Sequence, residues 1–307
     1  MAQAASARVA YFNGRFVPER EVLVPFRDRG FQYGDAVFDT TRTFGHRVFK
    51  LGEHVDRLYR SLRYLRIDPG LTPAQTVAVT EEVLRRNLPL LEPDQDYWVT
   101  QRVSRGLDPA AREVWDQDGA TVIVECLPLP LRERATLFRD GIRVVTPSVR
   151  RASPAALSPR VKTHNYLNLI AGTLEAKALD PDAWAVLLDA NGNFTEGMGS
   201  NIFLVRGGAL ATPREQFVLA GISRQTVIEL ARDLDIPVVE ADLDLYDAYN
   251  ADEAFLTSTS LCLCPVASIN GVRLDKQLPG PVTRQLMDAY RRLVDFDYVA
   301  QYLKHLP

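Results

Sequence analysis

The chain has 307 residues, a formal net charge of −3, 46% apolar residues and 24% charged residues. This length is typical of about two domains, and the composition is that of an ordinary globular protein. No basic block or aromatic–basic run indicates a nucleic-acid partner, and no apolar run approaches the roughly 20 residues of a membrane span.

The sequence also carries no clear signal for export, disulfides or metal. Its beginning, MAQAASARVAYF, lacks a charged region followed by an apolar stretch. The cysteines are too few and too scattered for a disulfide framework or a zinc site: Cys126, Cys262 and Cys264. We therefore expect a cytoplasmic protein without a metal, a membrane or a nucleic-acid partner.

The first part of the chain is predicted to mix short strands with two helices. Residues 9–49 alternate apolar runs with turns, and Asn13-Gly14 is typical of a hairpin turn. An amphipathic helix is predicted over 53–65, and a second helix begins after the cap Thr72 with Pro73 at its first position. Apolar runs predict strands over residues 97–106 and 120–128.

Residues 127–140 contain prolines followed by several charged residues, and this stretch is the best candidate for a linker. We place a domain boundary there, with an N-terminal domain over 1–130 and a C-terminal domain over 131–307. The second part is predicted to alternate helices and strands, so the fold class is α/β or α+β. The predicted helices cover 168–179, 223–234, 244–251 and 282–294, and the strands 183–189, 193–205, 209–213, 236–243 and 253–259.

Covalent chemistry by an amine can be assessed lysine by lysine, because the chain contains only Lys50, Lys162, Lys177, Lys276 and Lys304. Lys162 stands where a helix begins, with His164 and Tyr166 as neighbours that could tune it. A lysine that forms a Schiff base needs a lowered pKa, from burial or from a nearby cation. Lys162 is therefore either such a reactive amine or a solvated residue beside a helix.

Two stretches are suited to a phosphate. Gly221-Ile222-Ser223 opens a helix, where amide groups and a hydroxyl favour an anion. Ser258-Thr259-Ser260 places three hydroxyls at the end of a strand, and both stretches are equally compatible with a plain cap or turn. Together with a tunable lysine they indicate pyridoxal 5′-phosphate (PLP), which also needs a carboxylate for its ring nitrogen. Glu196 is a candidate, or else an exposed hairpin acid.

Six motifs in this order resemble the class IV PLP-dependent aminotransferases, which include branched-chain, D-amino-acid and (R)-amine transaminases. The resemblance covers residues 9–285. The motifs are GFQYGDAVFDTTR, KLGEHVDRLYRSL, VKTHNYLN, FTEGMGSNIF, LAGISRQTVIELA and EAFLTSTS. It implies a smaller N-terminal α/β domain, a larger C-terminal domain, the cofactor between them, and a homodimer.

The resemblance implies a role for each matching residue. Lys162 would bond covalently to the cofactor and carry the proton of the substrate, and Glu196 would hold the ring nitrogen protonated. The other residues would contact the cofactor's ring oxygen, phosphate or ring face: Tyr166, Arg57, Ile222, Ser223, Thr259 and Leu219. The substrate side would contain Tyr33, Phe38, Thr40, Arg42, Arg105, Ser260 and Leu261.

The motifs divide between relatives on the question of substrate. Tyr33, Phe38 and Arg42 fit the branched-chain pattern, whereas Gln32, Asp35 and the run QRVSRG resemble the D-amino-acid enzymes. Those enzymes carry a histidine two residues after the arginine of that run, and here Arg105 is followed by Gly106 and Leu107. We therefore expect a hydrophobic, preferably branched L-amino acid as donor and 2-oxoglutarate as acceptor. The alternatives are a D-amino-acid or (R)-amine transaminase, an aminodeoxychorismate-type lyase, and a scaffold without chemistry.

Overall fold

The structure is a computed structural model that describes residues 8–108, 113, 116, 118–274 and 277–306. Lys276 lies outside the described residues. The chain divides into two compact units, which we call the N-terminal unit (Met1–Leu129 with Val161–Asn165) and the C-terminal unit (Pro130–Arg160 with Tyr166–Pro307). Val161–Asn165, with Lys162, is thus part of the N-terminal unit, whereas the limits drawn from the sequence place it after residue 130.

The N-terminal unit combines one sheet with helices. Its strands are β1 (Val9–Phe12), β2 (Arg15–Pro18), β3 (Ala36–Phe44), β4 (Arg47–Val48), β5 (Tyr97–Ser104) and β6 (Thr121–Pro128). Its helices are α1 (Arg29–Tyr33), α2 (Leu51–Leu65) and α3 (Pro73–Asn87).

Local sequence explains several of these elements. Asn13 and Gly14 both have positive φ, as a tight hairpin turn between β1 and β2 requires, which confirms the predicted turn. Helix α3 begins with Thr72 as its cap and Pro73 in its first turn, as predicted, and Gln75 completes a capping box with Thr72. Helix α2 buries its apolar stripe, so its predicted amphipathic character is also confirmed.

The sheet of the N-terminal unit is antiparallel, with strand order β2-β1-β6-β5-β3-β4. Successive side chains point to opposite faces of a strand, so each strand contributes to two surfaces. One face is apolar and belongs to the core, with Val37, Val99 and Val124 fully buried. The opposite face is only half-buried and carries Phe38 on β3 and Arg102 on β5, which are direct cross-strand partners.

The C-terminal unit is built on a larger sheet. Its strands are β7 (Ile142–Val145), β8 (Trp184–Leu188), β9 (Phe194–Gly197), β10 (Ser200–Arg206), β11 (Ala209–Pro213), β12 (Val238–Ala241), β13 (Glu253–Ser258), β14 (Cys262–Ile269) and β15 (Val272–Arg273). Its helices are α4 (Leu131–Asp140), α5 (Leu167–Leu179), α6 (Ile222–Asp233), α7 (Leu245–Tyr249), α8 (Pro281–Val294) and α9 (Tyr298–Leu303).

The strands of this sheet form a closed path. The order β10-β13-β14-β7-β8-β9 returns to β10, because β9 pairs with both β8 and β10. Strands β11 and β12 extend the sheet from β10. Because the path is closed, the hairpin of β9 and β10, which contains Glu196, is hydrogen-bonded to a neighbouring strand on each side.

Several parts of this unit differ from the sequence-based expectations. Strands β7 and β15 and helix α9 were not predicted, and the single strand expected over residues 193–205 is divided into β9 and β10. Residues 131–140, which were expected to belong to a linker, form helix α4, and this helix buries Leu131, Ala135 and Phe138. Strand β14 was not predicted, because Pro265 interrupts its apolar run and proline argues against a strand interior. Over the described ranges, no helix is both long and apolar enough to cross a membrane.

Candidate active site

Lys162 lies on a short segment that runs along the edge of β3. Thr163 forms an antiparallel bridge with Val37, and the Lys162 carbonyl accepts a hydrogen bond of 3.0 Å from the Phe38 amide. The Lys162 amide in turn donates to the Ser61 hydroxyl of α2 at 3.2 Å. Strand β3 and helix α2 therefore both fix the backbone of Lys162.

Three side chains lie close to the Phe38 ring. Nζ of Lys162 lies 4.5 Å from the ring centroid, and Cζ of Arg102 lies 5.5 Å from the same centroid. The imidazole of His164 packs at a tilt, with its centroid 5.3 Å from that of Phe38. Two cations and an imidazole thus surround one aromatic side chain.

The His164 ring is largely buried, and its Nε2 is enclosed without a hydrogen-bond partner among the residues the structure describes. Burial, aided by the charges of Arg102 and Lys162 and opposed by Asp28, lowers the pKa of His164 to about 4. The imidazole is therefore neutral near pH 7, and its surroundings are electrostatically positive.

Arg57 belongs to a buried charged cluster with Asp39 and His54. Its Nε and Nη2 donate to the two carboxylate oxygens of Asp39, each at 2.8 Å, and Nδ1 of His54 lies 2.7 Å from Oδ1 of Asp39. Burial opposes ionisation of Asp39, but Arg57 and His54 outweigh it and hold the pKa of this carboxyl below its usual range. Burial also lowers the pKa of His54, so we assign a neutral ring that donates to Asp39.

Arg42 and Arg105, two residues expected on the substrate side, are buried beside acidic partners. Arg42 lies 3.8 Å from the Asp96 carboxylate and stacks over the Phe44 ring, with its Cζ 4.1 Å from the centroid. Arg105 bonds both oxygens of Asp35, at 2.7 and 3.1 Å, and two backbone carbonyls at the end of α2. Both guanidinium groups therefore have structural partners.

Tyr33 and Thr40, also expected on the substrate side, have more open positions. Tyr33 ends helix α1 with a ring that is 60% exposed, and the Arg29 guanidinium lies 5.8 Å from its centroid. Thr40 is half-buried on the same sheet face as Phe38, and its hydroxyl lies 3.0 Å from that of Thr100. Both side chains can reach a ligand on their surface.

In the C-terminal unit, Glu196 is buried, with 5% of its surface exposed. Its Oε1 accepts hydrogen bonds from Nη2 and Nε of Arg151 at 3.0 and 3.2 Å, and its Oε2 accepts one from the Leu219 amide at 2.9 Å. The interpretation of Glu196 as an exposed hairpin acid is therefore wrong. The contacts also bring Leu219 next to this carboxylate.

Tyr166 stands at the start of helix α5. It occupies the N-cap position, and its carbonyl accepts the first helical hydrogen bond, from Ile170 at 2.9 Å. Its half-buried ring packs against a small apolar cluster that includes Leu169 and Leu187. The ring is thus anchored on its apolar side.

Helix α6 begins directly after Gly221, whose backbone is extended and provides no side-chain cap. The first amides of a helix have no acceptor within the helix, so those of Ile222 and Ser223 are directed outward. The Ser223 hydroxyl donates to the Ser258 carbonyl at 3.0 Å. This contact joins the start of α6 to the turn after β13.

That turn contains Thr259, Ser260 and Leu261. The Leu261 amide donates to the Ser258 hydroxyl at 3.1 Å, and the Ser260 hydroxyl contacts the Arg134 guanidinium. Thr259 is half-buried, whereas Ser260 and Leu261 are buried. Of this group, Thr259 is therefore the side chain best able to meet a ligand.

Sequence reasoning did not identify several charged or ionisable side chains that contact the predicted site residues, among them Asp39, His54, Arg102 and Arg151. His54 precedes Arg57 by three positions on α2, a spacing that places two side chains on one helix face. Arg102 alternates with core residues on β5, so period-2 reasoning could have placed it on the face of Phe38. Local sequence offers no comparable signal for the pairing of Arg151 with Glu196.

The described ranges also contain no group of three or more His, Cys, Asp or Glu side chains arranged to hold a metal ion.

Comparison with known proteins gives a consistent assignment. The family model for amino-transferase class IV matches residues 36–269. The chain is 38% identical to a putative branched-chain-amino-acid aminotransferase of Methanocaldococcus jannaschii, over 92% of this chain and 94% of that protein. It is 28% identical to the D-alanine aminotransferase of Bacillus licheniformis, over 92% of this chain and 96% of that one.

Solved structures agree with these relatives. The branched-chain aminotransferase of Thermoproteus uzoniensis, solved with norvaline, superposes with a TM-score of 0.85 at 30% identity and covers 97% of both chains. A branched-chain aminotransferase from T.th., solved with pyridoxamine 5′-phosphate, gives a TM-score of 0.83 at 29% identity over 94% of each chain. The fold is therefore the two-domain α/β fold of these enzymes. The chain belongs to the class IV aminotransferases and is a PLP-dependent transaminase.

Proposed function

We propose that this enzyme moves the amino group of a hydrophobic, preferably branched L-amino acid to 2-oxoglutarate. The observation that carries this proposal is the position of Lys162, whose backbone is fixed beside the ring of Phe38 in a chain of this family. An aromatic wall next to the reactive amine favours aliphatic side chains, because each buried methylene contributes about 0.8 kcal/mol. Higher identity to a branched-chain relative than to a D-alanine relative supports the same choice.

The described residues fit PLP as the cofactor. Glu196 is a buried carboxylate, as the protonated ring nitrogen of PLP requires. The uncapped start of α6 fits a phosphate. A Cβ at Gly221 would lie 2.2 Å from Oδ1 of Asn201, so a larger residue there would have to displace that side chain. Asn201 also donates to the Leu219 carbonyl at 3.1 Å, which fixes the same turn.

When bound, PLP supplies an electron sink for negative charge at the substrate Cα. We propose that Lys162 holds the cofactor covalently and moves the Cα proton, and that Glu196 keeps the ring nitrogen protonated. Tyr166 would donate to the ring oxygen and Leu219 would pack on the ring. The phosphate would be held by Arg57, Ile222, Ser223 and Thr259.

We propose further that Tyr33, Thr40 and Phe38 contact the substrate. Arg42, Arg105, Ser260 and Leu261, which the family resemblance also places there, act chiefly by holding the surrounding backbone and side chains. Their contacts with Asp96, Asp35, Arg134 and Ser258 support this distinction.

We also propose that two copies form a homodimer, as the family resemblance implies. Helix α5 exposes Leu167, Ile170 and Leu174 on one stripe, with 77%, 41% and 66% of their surfaces accessible. Exposed apolar stripes of this kind are typical of protein interfaces. Light scattering of the purified protein, compared with a Leu174→Glu variant, tests the association.

A D-amino-acid or (R)-amine transaminase is the second candidate, and the D-alanine aminotransferase relative favours it. A donor panel with 2-oxoglutarate decides between the two, with glutamate formation as the readout. It contains L-leucine, L-isoleucine, L-valine, D-alanine and both enantiomers of 1-phenylethylamine. The proposal fails if D-alanine or the (R)-amine exceeds L-leucine in kcat/KM by more than about tenfold, which is ~1.4 kcal/mol of transition-state preference. Release of pyruvate from aminodeoxychorismate without glutamate formation would identify a lyase.

A further inference from the structure

The turn after β13 is held by a tyrosine and an arginine from two helices that are distant in the sequence. Tyr302 of α9 donates from its hydroxyl to the Ser260 carbonyl at 2.9 Å, and the Arg134 guanidinium of α4 contacts the Ser260 hydroxyl. Ser260 is 3% exposed, and Tyr302 is fully buried. The carbonyl and the hydroxyl of Ser260 are therefore each fixed by a long side chain.

Arg134 and Tyr302 also fix each other. The Arg134 guanidinium forms a hydrogen bond with the Tyr302 hydroxyl, and its Cζ lies 5.5 Å from the centroid of the Trp184 ring. Phe138, about one helical turn after Arg134 on α4, stacks on the Tyr302 ring with the centroids 4.5 Å apart and the planes at 21°. Because packed side chains have few alternative rotamers, the polar atoms next to Ser260 occupy defined positions.

Enclosing the Arg134 guanidinium has a free-energy cost. Burial lowers the pKa of Arg134, because the charged form loses solvation, and the neighbouring Tyr302, Cys264 and Glu133 offset only part of this effect. A buried charge is weak evidence for a gain in stability. The position of Arg134 points instead to the geometry of the groups that it contacts.

A series of contacts connects Ser260 to the start of α6. The Ser260 and Ser258 hydroxyls lie 3.4 Å apart, and the Ser258 hydroxyl accepts from the Leu261 amide at 3.1 Å. The Ser258 carbonyl accepts from the Ser223 hydroxyl at 3.0 Å. Thr259 thus lies between two serines whose positions are both fixed, and a displacement of Ser260 would shift Thr259 relative to Ser223.

We propose that Arg134 and Tyr302 are positioning residues for the cofactor phosphate. They hold the turn after β13 so that Thr259 and Ser223 contact the phosphate together. Helix α9 thereby contributes to cofactor retention through Ser260. This role rests on the proposed phosphate contacts of Thr259 and Ser223, and it adds the residues that keep these two contacts in place.

Two tyrosines on α9 provide a matched comparison. Tyr298, like Tyr302, is fully buried, but its hydroxyl donates to the Leu263 carbonyl of β14 at 3.2 Å. Tyr302→Phe and Tyr298→Phe each remove one buried hydroxyl that donates to a backbone carbonyl, so urea unfolding should show comparable losses of stability. Only Tyr302→Phe should weaken the binding of the phosphate.

Titration of the apoenzyme with PLP and with pyridoxal, which lacks the phosphate, measures this difference by absorbance. In Tyr302→Phe the dissociation constant for PLP should rise by about fivefold or more, as the loss of one positioned hydrogen bond implies. The dissociation constant for pyridoxal should stay unchanged, because pyridoxal makes no phosphate contact. Tyr298→Phe should leave both constants unchanged, whereas a general loosening of the fold would weaken both ligands in both variants.

Arg134→Gln should raise the dissociation constant for PLP by about tenfold or more, because charge-assisted contacts are lost. The constant for pyridoxal should again stay unchanged. Arg132→Gln is the control, since Arg132 is an exposed arginine of the same helix, and it should bind both ligands normally. If Arg134→Gln does not fold, the comparison of the two tyrosines decides.

Thr259→Ala and Ser223→Ala separate the positioning role from the proposed phosphate contacts. If Thr259→Ala weakens PLP relative to pyridoxal but Tyr302→Phe does not, the positioning role is overturned and the phosphate contact remains. If neither Thr259→Ala nor Ser223→Ala weakens PLP relative to pyridoxal, the proposed phosphate contacts are wrong and the positioning role fails with them.

Discussion

Arg57 and Asp39 form a buried, doubly hydrogen-bonded pair with both contacts at 2.8 Å, and His54 adds a third contact to the carboxylate. The pair fixes the plane of the guanidinium before any ligand binds. Asp39 also offsets the positive charge of a residue that is 4% exposed. For the phosphate contact that we propose for Arg57, this pair would preorganise the guanidinium and limit the loss of entropy on binding.

Cofactor affinity should depend on the planar guanidinium of Arg57. In Arg57→Lys the charge is kept but the planar fork is lost, so cofactor affinity should fall at least tenfold. Titration of the apoenzyme with PLP, followed by absorbance, measures this. Arg60→Lys, an exposed position on the same helix, is the control and should bind normally. Equal affinities for both variants would remove Arg57 from the phosphate site.

Lys162→Ala should abolish transamination while the protein stays folded, because the lysine lies on an edge segment rather than in the core. After borohydride reduction, mass spectrometry of the unmodified enzyme should find the cofactor on a peptide that contains Lys162. Lys177 is an exposed lysine on α5, and the Lys177→Ala variant should keep both its transamination activity and the cofactor on Lys162. Cofactor attached to any other lysine would refute the assignment.

Glu196→Gln should slow the half-reaction with the amino donor by about 10²-fold, the lower range for loss of a positioned acid–base group. A neutral amide does not hold a proton on the ring nitrogen, while its oxygen still accepts from the Leu219 amide. Cofactor content should therefore stay unchanged. Single-turnover kinetics measures the rate, with Glu175→Gln as control, and a loss of less than about threefold would contradict the role.

His164 should make stability depend on pH in the acidic range. Its pKa is lowered from 6.5 to about 4, so between these values the unfolded chain binds a proton that the native ring does not. The free energy of unfolding should thus fall as the pH drops from 6.5 towards 4, and His164 should contribute no pH dependence above that window.

At pH 5 this linkage amounts to at most ~2 kcal/mol, and solvent near the ring reduces it. The buried His54 acts in the same direction. His164→Leu should therefore lose up to ~2 kcal/mol less stability than the unmodified protein between pH 7.5 and 5. Urea unfolding at both pH values measures the difference, and parallel losses would contradict the prediction.

Arg42 should matter for stability more than for substrate. Arg42→Ala leaves the buried Asp96 carboxylate without its guanidinium, which should lower the free energy of unfolding by about 3 kcal/mol. Arg102→Gln, a half-exposed position on the same sheet face, should lower it by less than about 1 kcal/mol. Denaturant titrations of the two variants compare these values. A larger loss in Arg102→Gln would reverse the assignment of roles.

Local sequence signals predicted the elements that carry strong caps and periodicity. The Asn13-Gly14 turn, the Thr72 cap and the stripe of α2 are each encoded within a few residues, and the structure contains all three. Helix α4 was missed because prolines precede it and its charged residues hide a short apolar stripe. Strand β14 was missed because a proline in a strand is tolerated only where sheet pairing compensates for it, and pairing is not visible locally.

The candidate site shows the same contrast between what local sequence encodes and what depends on tertiary contacts. The residues within recognisable motifs could be named from the sequence, although their roles stay predictions until tested. Contacts between distant positions could not be named, because they depend on how strands pair and how helices pack on the sheet. Arg57 on α2 donates to Asp39 on β3, and Arg102 on β5 donates to Glu125 on the neighbouring strand β6. Arg42 and Arg105 illustrate the converse, since a motif position does not reveal which charged partner encloses a side chain.

The affiliation of Val161–Asn165 with the N-terminal unit has a practical consequence for dissecting the enzyme. Val161 contributes to the apolar core of that unit, and Thr163 bridges to Val37 on β3. A recombinant fragment that stopped at residue 129 would leave the β3 edge bare and an opening in the core. It would also lack Lys162, the proposed site of cofactor attachment, and would separate this residue from the helix α2 that holds its backbone.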